Sequence, residues 1–240
     1  MAGERRGEYA SLFTDVNVKR WYDNVARGSF VTADVYLRRL GSFCNHFNRS
    51  PKDLLTMSED SLFNLLLDYV TSMEQKGYAG SYIHSTIKAV KSWLSHYGIE
   101  IKRKIKIRGA QETPSLKDER VPTKDELRKI FLSGDKKARV ASVFVAHSGL
   151  RIESLGDYRG NDGLKVSDLP ELKVGNDIVE FEQIPTKVIV REPLSKAGHE
   201  YFSFLSEEGC EYLRDYLEER IREGEEIGPD TSVITSKIRL

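Results

Sequence analysis

At 240 residues the chain is long enough for one large domain or two of ordinary size. Its apolar residues never form a run near the ~20 positions of a bilayer helix, which excludes a polytopic helical membrane protein. The formal net charge is zero, but Met1–Ala110 carries about +6 and Gln111–Leu240 about −6, so the neutral total excludes no nucleic-acid partner.

Met1 to Glu8 has charges with no apolar core behind them, unlike a secretory signal. Cys44 and Cys210 lie far apart and have no metal-ligand spacing. A reducing, cytoplasmic setting with no membrane partner and no metal site is the expectation.

Up to about Val31 the patterning is weak, apart from Trp21 and Tyr22, which suggest local packing. From Thr32, read as an N-cap, residues Tyr36, Leu37, Leu40 and Phe43 recur at helical spacing until Asn48–Pro51 breaks the run. Ser58 is placed to cap a second long helix bearing Leu62, Leu66, Tyr69 and Met73, ended by Gly77. The third helix, Ser81 to Tyr97, is the most regular. Its apolar stripe is Ile83, Ile87, Val90, Leu94 and Tyr97, and a polar stripe of His84, Lys88, Lys91 and Ser95 runs beside it, rotated by about 100°. Gly98 is the stop.

Ile101–Gly109 reads I-K-R-K-I-K-I-R-G, five bases in nine residues with no acid. Isoleucines alternate with bases, which suits an extended segment. Lys102, Arg103, Lys104, Lys106 and Arg108 are spaced to track a phosphate backbone, each contact releasing counterions. A charged linker or a lysine-guarded edge strand is the plainer alternative. Gln111–Val121 reads as flexible linker.

A second domain opens on the capping box Thr123–Glu126, with Leu127, Ile130 and Phe131 as its apolar face and Gly134 as its end. The next helix runs from about Lys136 to Ser148, where Gly149 suggests a break and leaves Arg151 at the start of the following helical segment. Beyond Leu164 the period changes to two. Val179 and Phe181 alternate with glutamates, and Lys187–Arg191 and His199–Leu205 read as two arms of a hairpin with a long loop around Lys196. Ser206 begins a last helix with the stripe Cys210, Leu213, Leu217 and Ile221 and mostly acidic other faces.

Within Ala141–Tyr158, an arginine between Leu150 and Leu155 wants an anion, whether Glu153, Asp157 or a bound phosphate. Ser148-Gly149-Leu150-Arg151 resembles the first arginine box of the tyrosine recombinases, the phage-integrase family, which typically reads T-G-L-R-x-x-E-L. Ser195–Leu205 resembles the family's lysine hairpin, T-K-T-G-K-x-R-x-V-P-L, at about the expected distance from Arg151. The order of helical domain, basic connector and mixed domain also matches, in the manner of an archaeal-type integrase.

The resemblance implies a mainly α fold with a small antiparallel sheet. A helical DNA-binding (core-binding) domain, 1–100, and a basic linker, 101–121, would precede a partial α+β catalytic domain, 122–240. Its implied partners are double-stranded DNA and other recombinase protomers on that DNA. Arg151 would hold the scissile phosphate and stabilise the transition state, and Lys196 would protonate the leaving 5′-oxygen. Neither metal nor cofactor is needed, because a 3′-phosphotyrosine stores the bond energy.

The sequence also departs from the family. Ser154 stands where the family has an acid, with Glu153 one position earlier. After Lys196 the H-x-x-R box is missing, since His199 is followed three residues on by Phe202. Tyr201, Tyr212 and Tyr216 read as structural, the last two on an acidic helix that disfavours attack on phosphate. The expectation is therefore site-specific DNA recombination chemistry in the family, with this chain a DNA-binding fragment inactive alone. A non-catalytic DNA-binding or regulatory protein of the same architecture is the alternative, and a type IB topoisomerase-like enzyme is a weaker third.

Overall fold

The computed structural model describes residues 4–111, 120–175 and 178–235. Most of the expected linker, 112–119, lies outside the described residues, as does the end of the chain from 236. The chain divides into two compact units, Met1–Asp118 and Glu119–Leu240. The first is helical. The second is helical with two small antiparallel sheets.

In the first unit a 3₁₀ segment, Glu4–Thr14, precedes α1 (Val16–Ala26), α2 (Phe30–His46), a single turn α3 (Pro51–Leu54), α4 (Glu59–Gln75) and α5 (Gly80–His96). The weak patterning expected before Val31 is corrected here. Val18, Trp21, Tyr22 and Ala26 are the buried face of α1, and Asp15 caps it by accepting from the Asn17 amide. Thr32 is not a cap. It lies inside α2, whose N-cap is Ser29, the hydroxyl of which accepts from the Thr32 amide.

Helices α4 and α5 follow the sequence closely. Ser58 caps α4 by accepting from the Ser61 amide, and Gly77 and Gly98 take left-handed φ values after each helix. Ile83, Ile87, Val90 and Leu94 are buried, whereas Tyr97 is half-buried. Two tryptophans meet edge-on in this core, Trp21 and Trp93, with ring centroids 5.6 Å apart. Each indole N–H has a partner, Trp21 on Ser92 Oγ and Trp93 on the Pro51 carbonyl, so burying the rings strands no donor.

The second unit starts with α6 (Lys124–Ser133), where Thr123 and Glu126 complete a capping box in both directions. Of its expected apolar face Phe131 is buried and Leu127 half-buried, but Ile130 points outward, 54% exposed. Helix α7 (Lys136–Ser148) buries Val140, Val143 and Phe144 and ends at Gly149 with φ +65°, a value that favours glycine. The short turn α8 (Ile152–Leu155) follows, then β1 (Leu172–Val174), β2 (Val179–Phe181), β3 (Thr186–Val190), β4 (Tyr201–Leu205) and α9 (Glu207–Arg222). Strand β1 pairs with β2 and β3 with β4, both antiparallel.

Helix α9 packs on α7 with Cys210, Leu213, Tyr216 and Leu217 inward; Ile221 is only half-buried. Its Arg220 is 1% exposed, a buried charge on a helix whose other polar positions read as solvated. The two thiols sit one in each core. Burial holds the Cys44 thiol up at about 12, and also raises that of Cys210, so neither is a ready nucleophile.

Candidate nucleic-acid interface

The basic segment after α5 does not form a strand. It lies as an extended strap on the first unit, its residues Ile101, Ile105 and Ile107 turned into or against the helical core. Several ties fix it. Lys91 Nζ donates to the Ile101 carbonyl at 3.0 Å, and Arg103 pairs with Asp60 at 2.8 Å while its guanidinium stacks 3.9 Å from the Phe63 ring centroid. At the far end the Arg108 amide donates to Glu74 at 2.8 Å. The strap passes so close to the start of α5 that a Cβ at Gly80 would collide with the Arg108 carbonyl and the Gly109 backbone.

Between strap and helix run two adjoining grooves. The smaller, about 340 Å³, is lined by Lys88 and Lys91 from α5 and by Lys102, Arg103 and Lys104 from the strap. The larger, about 680 Å³, continues past Lys106 to Gln111. His84 lines both. The structure thus brings together two sets of cations that are separate in the sequence. Lys88, Lys102, Lys104 and Lys106 are exposed and, among the described residues, make no ion pair. Arg103 is already engaged with Asp60, and Arg108, although exposed, lines neither groove.

The second unit presents a different arrangement. Arg151 is the N-cap residue of α8, and it is exposed rather than sunk in the apolar setting its neighbours suggested. Around it Ser148, Leu150, Ser154 and Leu155 are buried. Neither Glu153 nor Asp157 pairs with it among the described residues. Lys196 is likewise exposed, in the ten-residue loop between β3 and β4, with no ion pair among the described residues.

What holds these two cations is a frame of neutral and ionic ties. The Ser203 hydroxyl on β4 donates to the Ser148 carbonyl at 2.6 Å, just before Gly149 and Arg151. The Ser154 hydroxyl on α8 donates to the Leu194 carbonyl at 3.3 Å, two residues before Lys196. Ser154 is thus a buried anchor at the position where an acid was expected. Arg191, at the root of the hairpin loop, meets Asp162 through two parallel contacts of 2.9 and 3.0 Å and Asp168 through Nε at 2.9 Å. These bonds hold the Asp162 carboxyl below the usual range and the Arg191 guanidinium above its own.

The clamp was missed in the sequence because Asp162 and Asp168 lie 29 and 23 residues from Arg191. The three late tyrosines differ in exposure. Tyr216 is 1% exposed in the core, and Tyr212 donates to Glu208 with its hydroxyl pushed up by burial first and that acid second. Tyr201 is half-buried on β4. Among the described residues no group of acids, histidines and cysteines could hold a metal ion, and no helix is long and apolar enough to cross a membrane.

No family model and no curated protein matches the chain. Among solved structures, a crystal structure of XerA recombinase matches it at 17% identity with a TM-score of 0.33, over 93% of this chain and 69% of that one. A likeness of that strength decides nothing about function, which rests on the residues themselves.

Proposed function

We propose that this is a DNA-binding protein of the tyrosine-recombinase type. In this reading the first unit grips duplex DNA along the strap groove, and the second presents Arg151 and Lys196 to a phosphodiester. The observation that carries it is the convergence of Lys88 and Lys91 on α5 with Lys102, Lys104 and Lys106 of the strap along one surface. Four exposed lysines without an ion pair among the described residues concentrate positive charge on one face, which suits a polyanion. Arg103, Lys91 and the isoleucines fix the strap; Lys88, Lys102, Lys104 and Lys106 make the contacts. Arg151 and Lys196, neither in an ion pair among the described residues and carried on segments linked by the Ser154–Leu194 bond, would serve an anionic oxygen pair in the second unit.

Binding to duplex DNA at a series of salt concentrations tests the first half. Replacing Lys102, Lys104 and Lys106 with alanine is expected to lower the salt slope by about one per lysine. An unchanged slope would remove the groove from the interface.

The placement of Tyr201, Tyr212 and Tyr216 favours binding without cleavage by these 240 residues, the non-catalytic reading. A nicked suicide duplex decides between the two. A covalent protein–DNA adduct would overturn the non-catalytic reading and assign a nucleophile to this chain; its absence, with binding retained, supports a protein that occupies DNA. Recombination or integration, with further protomers on the same DNA, is the activity the wider reading implies.

A further inference from the structure

The two grooves differ in chemistry, and the difference bears on what each can recognise. The smaller is walled mostly by the cations Lys88, Lys91, Lys102, Arg103 and Lys104, with His84 and the apolar Ile87, Ile105 and Ile107 completing it and no glutamine in its lining. Lysine and arginine only donate hydrogen bonds; a lysine ammonium is a swivelling point charge suited to phosphate, and Arg103, whose fork could otherwise read guanine, is engaged with Asp60. The larger groove shares His84, Lys104, Ile105 and Ile107 with its neighbour and adds Gln111. His84 and Gln111 are the lining side chains that offer both a donor and an acceptor.

Base edges are told apart by patterns of donors and acceptors, and a glutamine amide matches the N6/N7 edge of adenine with two parallel bonds. The backbone that delivers Gln111 is held close by. The Arg108 amide is tied to Glu74, and Gly109 and Ala110 lie against Gly80. Gln111 is exposed and His84 half-buried, and neither has a hydrogen-bonded side-chain partner among the described residues. Resting on the DNA-binding reading above, we infer that the larger groove reads base edges through Gln111 and His84, with adenine the base opposite Gln111. The smaller groove holds phosphate without regard to sequence.

Selection of duplexes from a randomised pool by the full chain tests this, run in parallel with Gln111→Ala, His84→Ala and the double variant Lys88→Ala/Lys102→Ala. The wild-type chain is expected to enrich a preferred sequence with adenine at one position. Gln111→Ala should flatten that position, a loss of about 5- to 150-fold in discrimination, with the salt slope kept. The double lysine variant should bind more weakly with a shallower salt slope and the same preference. A chain that binds the pool but enriches nothing overturns the inference, as does a Gln111→Ala variant that selects the same sequences; both leave the DNA-binding reading standing. A chain that retains no duplex at all removes that reading, and the inference falls with it.

Discussion

The Ser203 hydroxyl reaches across from β4 to the carbonyl of Ser148, the last residue of α7, at 2.6 Å. A helix leaves its last carbonyls without intrahelical partners, and this bond satisfies one of them with a strand side chain. It also fixes the start of the segment that carries Arg151 to the strand that follows the Lys196 loop. Ser203→Ala should lower stability by about 1 kcal/mol. The midpoint of urea unfolding should fall while the slope of the transition stays constant. A variant as stable as the parent would show that water replaces the bond freely.

Arg191 makes a stronger and more pH-sensitive tie. Asp168 is only 4% exposed, so Arg191→Ala leaves a buried carboxylate without its cation, at a cost of about 3–5 kcal/mol. Arg191→Lys should recover little, since an ammonium cannot span both acids. The Asp162 carboxyl is depressed in the folded state, so its pairing stabilises above its ordinary value of about 3.9 and is lost as pH falls through the lower folded value. The stability gap between parent and Arg191→Ala should therefore be full at neutral pH and shrink through the acid range. A gap that stays constant down to the acid transition would count against the pairing.

Elements fixed by local chemistry were legible in the sequence, and those fixed by distant partners were not. The Thr123–Glu126 capping box, the Ser58 cap and the break at Gly149 each depend on residues within a few positions of one another. The stripes on α5 were readable because helical period alone sets which face is apolar. Helix α1 shows the same period at Val18, Trp21, Tyr22 and Ala26, but its interleaved Lys19, Arg20 and Asp23 dilute it, and the signal was passed over. Arg191 could not be read, because its partners Asp162 and Asp168 come from another segment; Arg220 has Glu225 five residues on, but its burial depends on the carbonyls of Ser232 and Val233 folding back over α9. The strap's alternation of isoleucine and base was visible, but its seat against Gly80 depends on the packed helices.

That seat gives a test of the groove that changes no charge. Gly80 is the first residue of α5, where alanine is no worse a helix former than glycine. The added Cβ would nevertheless meet the Arg108 carbonyl and the Gly109 backbone, which cannot swing aside like a side-chain tip. Gly80→Ala should therefore lift the end of the strap away from α5 and weaken duplex binding, although every lysine remains. Binding isotherms with the parent and variant, alongside circular dichroism to show that the helices persist, check this. Equal affinities would mean that the lysines act as a diffuse cloud and that the groove has no required shape.

Arg220 closes the second unit. Its Nε and one terminal nitrogen hold Glu225 at 2.9 and 2.7 Å, and the other terminal nitrogen donates to the carbonyls of Ser232 at 2.9 Å and Val233 at 3.0 Å. That segment runs beside 164–167, with the Val233 amide on the Leu164 carbonyl at 2.8 Å and the Val166 amide on the Thr231 carbonyl at 3.0 Å. Arg220→Ala removes a fully buried guanidinium and orphans two carbonyls, a cost of about 3 kcal/mol, near the low end for a buried pair because Glu225 can rehydrate. Lys165 also reaches this segment through Asp230, but Asp230 is 93% exposed, so Lys165→Ala should cost less than about 1 kcal/mol. Hydrogen exchange separates the two. The Val166 and Val233 amides should lose protection together in Arg220→Ala and keep it in Lys165→Ala, because the buried guanidinium is the stronger tie of the segment to α9, beside a long bond of 3.4 Å from the Thr235 amide to the Tyr216 hydroxyl. Protection retained in Arg220→Ala would move that task to the buried Val233 side chain.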